Sequence, residues 1–177
     1  MAIYFALLVV VGLERLAELA VSQRNAAASL ERGGQETGQG HFPVMVALHA
    51  ALFAGCWLEP IALHRTFLPP LAWPMLALVV GANALRWWCI ATLGPRWSAR
   101  VIVVPGLPLV AAGPYRWSRH PNYAAVIVEG AALPLVGSAW ITAGTFAVLN
   151  AALLAVRVRC ESRALATAAA TATATAT

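Results

Sequence analysis

Apolar runs dominate this chain, and short polar interruptions divide them into pieces of membrane-crossing length. A helix needs about 20 mostly apolar residues to span a bilayer. Residues 2–21, 43–63, 70–93 and 139–159 meet that requirement, and 122–136 is a shorter fifth run. Glu14, Arg15 and Glu18 interrupt the first run, and no cleavage-site pattern follows it. It therefore reads as a span rather than a signal peptide. Gly137-Ser138 is the only break between the last two runs. So short a break predicts a tight antiparallel hairpin. Residues 22–40 are polar and Gly-rich, which predicts a loop or a frayed interfacial helix. Residues 167–177 repeat Ala and Thr, and no structure or function is assigned to them. The expectation is an all-α integral membrane protein of five transmembrane helices, with one domain over residues 1–166.

Composition sharpens this picture. Of 177 residues, 60% are hydrophobic and 11% charged, with a mean hydropathy of +0.73. Soluble domains carry roughly 25% charge. The composition excludes a disordered chain, a soluble two-domain enzyme and a disulfide-stapled scaffold. The spacing of Cys56, Cys89 and Cys160 makes no zinc or CxxC pattern, so they read as small apolar residues. The net charge of +5 comes with every base an arginine. Arg24 and Arg32 follow the first run, Arg96, Arg100, Arg116 and Arg119 follow the third, and Arg157, Arg159 and Arg163 close the fifth. Only Arg65 falls on the other side. Such asymmetry predicts a multi-pass protein whose loop 94–120 faces the cytoplasm. Trp57, Trp73 and Trp140 would mark the outer interface, and Trp87, Trp88, Trp97 and Trp117 the inner one. The basic balance needs no nucleic acid.

In so apolar a chain the polar residues carry the information, because ionisable groups at membrane depth are costly. Glu14 and Glu18 share a helix face, with Arg15 beside it. Asn83 and Trp87 are four apart on the third helix and Arg86 is three from Asn83, which suggests a cavity wall or interhelical bonding. Pro121 suits the first turn of a helix, so the fourth helix should start there with His120 at its cap. The free amides of that start suit an anionic ligand group. Glu129 lies about 12 Å deeper at 1.5 Å per residue, and needs an arginine, a watered cavity or a proton. Arg157 and Glu161 are one turn apart near the end of the fifth helix. The hairpin would gather His120, Tyr123, Arg157 and Glu161 at the inner surface, with Glu129 above them.

The run Gly113-Pro114-Tyr115-Arg116-Trp117-Ser118-Arg119-His120-Pro121-Asn122-Tyr123 resembles the GPYRxxRHPxY motif of the isoprenylcysteine carboxyl methyltransferase family. Leu93-Gly94, Trp97, Arg100-Val101 and Pro105-Gly106 are similar to the stretch before it, and Glu129-Gly130 and Pro134-Leu135 to the helix after it. Arg157-Val158-Arg159-Cys160-Glu161 resembles the closing R-I-x-x-E-E-x-x-L element, with Ser162 in place of its second glutamate. The resemblance covers residues 80–165. In the N-terminal half, Glu18-Leu19, Ser22-Gln23-Arg24-Asn25, His41-Phe42-Pro43 and His49 are similar to short bacterial members associated with type III polyketide synthases, which methylate hydroxyls of alkylpyrones and phenolic lipids.

The resemblance implies a membrane enzyme using S-adenosylmethionine. By it, His120 and Tyr123 contact the cofactor, and residues 113–119, including Tyr115 and Arg119, close over its adenosine. Glu161 binds a cofactor hydroxyl or amine, and Arg157 orients the acceptor. Asn83 and Trp87 would line the acceptor's side. Trp87, Trp97 or Tyr115 would stabilise the sulfonium cation. Glu129, the one deep acid, is expected to act as a base for a hydroxyl acceptor on a long-chain aromatic or pyrone; a carboxylate acceptor of the isoprenylcysteine type would need no base. The expected partners are a lipophilic or prenylated substrate and membrane lipid, with no metal. The oligomeric state is not legible. One rival is an NADPH-dependent sterol-type reductase, which carries a similar R-x-P-N-Y stretch, although no Gly-rich dinucleotide fingerprint is present. The other is a non-catalytic membrane scaffold.

Overall fold

The computed structural model describes residues 1–108 and 110–174, and of 167–174 only the backbone. Five helices form: α1 (Ala2–Glu31), α2 (His41–Ala62), α3 (Pro69–Leu93), α4 (Pro121–Val136) and α5 (Trp140–Ala174). α2 and α5 are long and apolar enough to cross a membrane, as is α3 together with its one-turn extension to Arg96. The other two expected spans differ. α4 has 16 residues, and Glu14, Arg15 and Glu18 sit inside α1. The N-terminus of α4 falls at Pro121 with His120 as its cap residue, as the proline predicts.

Two local expectations are corrected. The segment after Val21 is neither loop nor frayed end at first, because α1 runs on to Glu31. Its buried Ser22 and Asn25 explain the continuation. Ser22 Oγ accepts from the Ala99 amide at 2.9 Å, and Asn25 Nδ2 donates to the carbonyls of Gly94 and Trp97 at 3.2 and 2.9 Å. These bonds bind α1 to the loop that follows α3. Beyond the helix, β1 (Gln35–Thr37) pairs antiparallel with β2 (Val101–Val103), Glu36 opposite Ile102. The Ala/Thr repeat also differs from expectation: the backbone of α5 continues through it to Ala174. Residues 175–177 lie outside the described residues.

The strand pairing and the α4–α5 turn define the two ends of the bundle. β1 follows α1 and β2 follows α3, so their pairing brings those two connections to one end. At the other end Ser138 Oγ donates to the Thr66 carbonyl at 2.8 Å, joining the α4–α5 turn to the α2–α3 loop. Gly137 is required in that turn: a side chain there would collide with the Tyr4 ring. Arg24, Arg32, Arg96, Arg100, Arg116, Arg119, Arg157, Arg159 and Arg163 therefore gather toward the strand end, and Arg65 stands at the other. Glu59, near the end of α2, secures the start of α5. Its carboxylate accepts from the Thr142 amide and hydroxyl at 2.7 and 2.8 Å and from the Ile141 amide at 3.2 Å. That capping places a negative charge at the positive end of the α5 dipole.

The apolar core fills the turn end, where Tyr4, Leu8, Leu52, Val79, Leu133 and Val136 interlock. α4 packs most extensively on α3 and then on α5. Gly130 admits the Phe146 ring where α4 and α5 cross; a Cβ there would overlap the ring. The short α4 is thereby held between two long helices. One of its faces looks toward α3 and α1, and another toward α5.

Candidate functional site

The buried charges separate into two clusters on different faces of α4. The first joins α1, α3 and α4. Glu129 is 6% exposed and pairs with Arg86; Arg15 Nη1 is 3.5 Å from the same carboxylate and Asn83 Nδ2 donates to it at 3.4 Å. Glu18 lies 2.8 Å from Arg15 and 3.7 Å from Arg86 Nε. Arg15 also donates to Asn83 Oδ1 at 2.6 Å. Two arginines and two glutamates thus balance, with Asn83 bridging them. Glu14 stands at the rim, 3.9 Å from Arg15.

This arrangement corrects the place expected for Glu129. It does not stand above His120 and Tyr123 as a free acid. Six residues separate Tyr123 from Glu129, which on a helix of 3.6 residues per turn turns the two side chains well away from each other. Glu129 faces the arginines of α1 and α3. Asn83 belongs to this cluster too. Trp87 does not join it and is 39% exposed. Asn83 thus takes the interhelical bonding that is the other expectation.

The second cluster lies at the arginine-rich end, where α4 begins and α5 approaches its close. Tyr123 donates its hydroxyl to Glu161 Oε2 at 2.6 Å, and His120 Nδ1 lies 3.5 Å from the same oxygen. The His120 ring stacks on Tyr123 with 5.5 Å between centroids, and its Nε2 is 3.3 Å from Ser162 Oγ. The guanidinium of Arg157 lies 5.7 Å from the centre of the Tyr123 ring. Arg157 is buried, and its Nη2 donates to the Ala99 carbonyl at 2.7 Å while Nη1 reaches Met45 Sδ. Ala99 is therefore pinned from both sides, by Ser22 of α1 and Arg157 of α5. The convergence of His120, Tyr123, Arg157 and Glu161 expected from the hairpin is present.

Three buried polar atoms here have no hydrogen-bond partner: His120 Nδ1, Asn122 Oδ1 and Arg157 Nε. Unpaired buried polar atoms are uncommon and call for an explanation. They surround the start of α4, whose first amides are also free of helical partners. A polar ligand carrying hydroxyls, an amine and a carboxylate would offer partners for this set.

The remaining expected residues are distributed unevenly. Tyr115 sits in a one-turn helix over Gly113–Arg116 and hydrogen-bonds Cys89 of α3. Burial, reinforced by that bond, pushes its phenol well above the usual tyrosine range, so it stays protonated. Arg119 is exposed on the connection into α4. Trp97 is buried rather than placed in an interfacial belt. Ser162 was legible only as a departure from the motif, yet it bonds His120. Ser22 and Asn25 hold the loop beneath the site, and their only signal was polarity at the end of an apolar run. Between α4 and α5 an apolar cleft of about 490 Å3 runs along Ile127, Ala131, Phe146, Leu154 and Val158. Ile127 is one helical turn from Tyr123, so the cleft approaches the second cluster from the membrane side. Its polar members are Arg159 and buried Asn150, whose Oδ1 is unpartnered. Among the described residues no group of His, Cys, Asp or Glu is arranged to hold a metal.

Comparison with known proteins follows the same geography. The family model described as isoprenylcysteine carboxyl methyltransferase (ICMT) family matches residues 75–167, which contain α4, most of α3 and the α5 face of the second cluster. A Bacillus subtilis (strain 168) protein described as uncharacterized protein YpbQ is 34% identical over 164 residues, 92% of this chain and 96% of its own length. An uncharacterized Haemophilus influenzae protein is 24% identical over 152 residues, 85% of this chain and 88% of its own. No solved structure matches.

Proposed function

Since the chain belongs to the isoprenylcysteine carboxyl methyltransferase family, whose membership points to a membrane methyltransferase, we propose that it transfers the methyl group of S-adenosylmethionine to an anionic oxygen of a lipophilic acceptor. The observation that carries this reading is the joining of His120 and Tyr123 of α4 to Glu161 of α5 around unpaired buried atoms. When bound, the cofactor supplies an activated methyl on a sulfonium. The protein's part is to bind, orient and exclude water. Glu161 holds a hydroxyl or amine of the cofactor, and His120 Nδ1 and Asn122 Oδ1 take further polar groups. Tyr115 and the 113–119 segment close over the site from the loop side.

The acceptor enters from the membrane. The α4–α5 cleft suits a hydrocarbon tail, within the usual range for ligand pockets of about 300–1,000 Å3. Arg157 Nε, unpaired and buried, orients the acceptor oxygen. With Glu129 engaged by Arg15 and Arg86, and Glu161 bonded to Tyr123, the described carboxylates nearby already have partners. That favours an acceptor already ionised near neutral pH, a carboxylate or an acidic pyrone enol, over a neutral phenol of pKa near 10. The decisive experiment is methyl transfer with labelled cofactor on membranes containing the full chain, offered prenylated thioether carboxylates, alkylpyrones and alkylphenols. Labelled carboxylate or pyrone is expected. Cofactor binding without transfer to any of the three classes would overturn the acceptor assignment, and no binding of S-adenosylmethionine would overturn the reading itself.

The arginine-rich end faces the cytoplasm on this reading. In a background lacking Cys160, cysteine at Leu107 should react with an impermeant reagent only from the cytoplasmic side, and cysteine at Leu63 only from the other. Both positions are substantially exposed. Reaction of both from one side would break the topology.

A further inference from the structure

A second pocket of about 690 Å3 lies at the arginine-rich end, on the face of α5 turned away from Glu161. Val156, Arg159, Cys160 and Arg163 present it from α5, and Gln35 and Thr37 from β1. Arg159 and Arg163 are four apart and so stand one above the other on the helix. Strand alternation explains why the β1 wall is neutral. Gln35 and Thr37 point into the pocket, while Glu36 between them points away and pairs with Arg100 at 3.6 Å. Glu161 is likewise directed to Tyr123. No acid lines the pocket. Its floor is closed where β1 leads into α2. Gly38 has φ of +70°, and a Cβ there would lie 2.7 Å from His41 Nδ1 and 2.8 Å from Cys160 Sγ. His41 Nδ1 is itself buried without a hydrogen-bond partner and lines the pocket.

The pocket combines two cations, neutral donors, an unpaired ring nitrogen and an apolar side at Val156 that continues into the membrane-spanning part of α5. Arginine pairs suit phosphate oxygens because the guanidinium fork is planar and multiply donating. Basic pockets at this depth are where lipid headgroups sit. We propose that this is a binding site for an anionic phospholipid: its phosphate between Arg159 and Arg163, its headgroup over Thr37 and His41, and its acyl chain along Val156. The site is separate from the Tyr123–Glu161 cluster; Arg159 also borders the α4–α5 cleft, whereas Arg163 lines this pocket and not that cleft.

The test uses the full chain purified in detergent, with lipid retention measured by native mass spectrometry. The probes are short-chain phosphatidylglycerol, short-chain phosphatidylcholine and inorganic phosphate. Phosphatidylglycerol is expected to bind at least tenfold more tightly than phosphatidylcholine, with phosphate a poor competitor. Each of Arg159→Gln and Arg163→Gln should weaken phosphatidylglycerol about fivefold, and the two together about 25-fold. Arg24→Gln, an exposed arginine at the same end outside the pocket, should change it less than twofold. Equal binding of the two lipids, an unchanged double variant, or an equal loss with Arg24→Gln would overturn the proposal. Phosphate competing as well as the lipid would assign the site to a soluble anion instead and overturn the lipid. If the double variant does not fold, the exposed Arg163→Gln alone decides by its fivefold loss or its absence.

Discussion

The two charged clusters on α4 differ in completeness. The Arg15–Glu18–Asn83–Arg86–Glu129 cluster balances two positive and two negative charges. Arg15 Nη1 and Arg86 Nε make no hydrogen bond but face carboxylates of the same cluster at 3.5 and 3.7 Å, and Arg15 Nε is unbonded too. The His120–Tyr123–Arg157–Glu161 cluster leaves Asn122 Oδ1 and Arg157 Nε unbonded and His120 Nδ1 3.5 Å from Glu161 Oε2, and Glu161 is partly open to solvent. Both place ionisable residues in a membrane protein and both keep unbonded buried atoms; the difference is that the first matches its charges two against two, while the second leaves Glu161 partly open to solvent. Ionisable residues in a membrane are therefore weak evidence of a reaction until their partners and their access are known.

The largest effect expected from this contrast is on stability. Removing one member of a closed buried cluster leaves its partners uncompensated, which costs roughly 3–5 kcal/mol. Arg86→Met should lower the unfolding free energy of the detergent-purified protein by that amount, and adding Glu129→Met should restore most of it, because Arg15 and Glu18 still balance. If the double variant is stable and keeps full methyl transfer, the first cluster is architectural. If it is stable and inactive, the division between the two clusters fails.

At the second cluster the order reverses, with binding affected more than stability. Glu161→Ala should weaken S-adenosylmethionine by about 1.5–3 kcal/mol, the range for hydrogen bonds to a charged group. The melting temperature should change little. Calorimetric titration beside thermal unfolding checks both. A large fall in stability with unchanged affinity would place Glu161 with the structural set.

The smallest effect separates the hydroxyl of Tyr123 from its ring. Tyr123→Phe keeps the stacking with His120 but loses the 2.6 Å bond to Glu161. Cofactor affinity should fall by about 1 kcal/mol, with turnover following through binding. Turnover falling more than tenfold at saturating cofactor would give the hydroxyl a role beyond holding Glu161.

Much of this was legible without coordinates. Apolar run lengths determined α2, α3 and α5, because a bilayer demands a minimum length and satisfied backbone. Pro121 determined where α4 begins, because its missing N–H and fixed φ suit the first turn of a helix. The break at Gly137-Ser138 determined the hairpin, and with it the meeting of His120 and Tyr123 with Arg157 and Glu161. These are local or nearly local constraints. The partners of Glu129 are a different kind of fact. Arg15 lies 114 residues before it and Arg86 lies 43 before it, and only the packing of α1 and α3 on α4 selects them over the site. The same holds for Ser22 and Arg157 pinning Ala99, for Glu59 capping α5, and for the pairing of two three-residue strands too short to leave a pattern. Periodicity states which side chains share a face of one helix; which face meets which neighbour follows from the fit of surfaces between helices, and that is decided only in three dimensions.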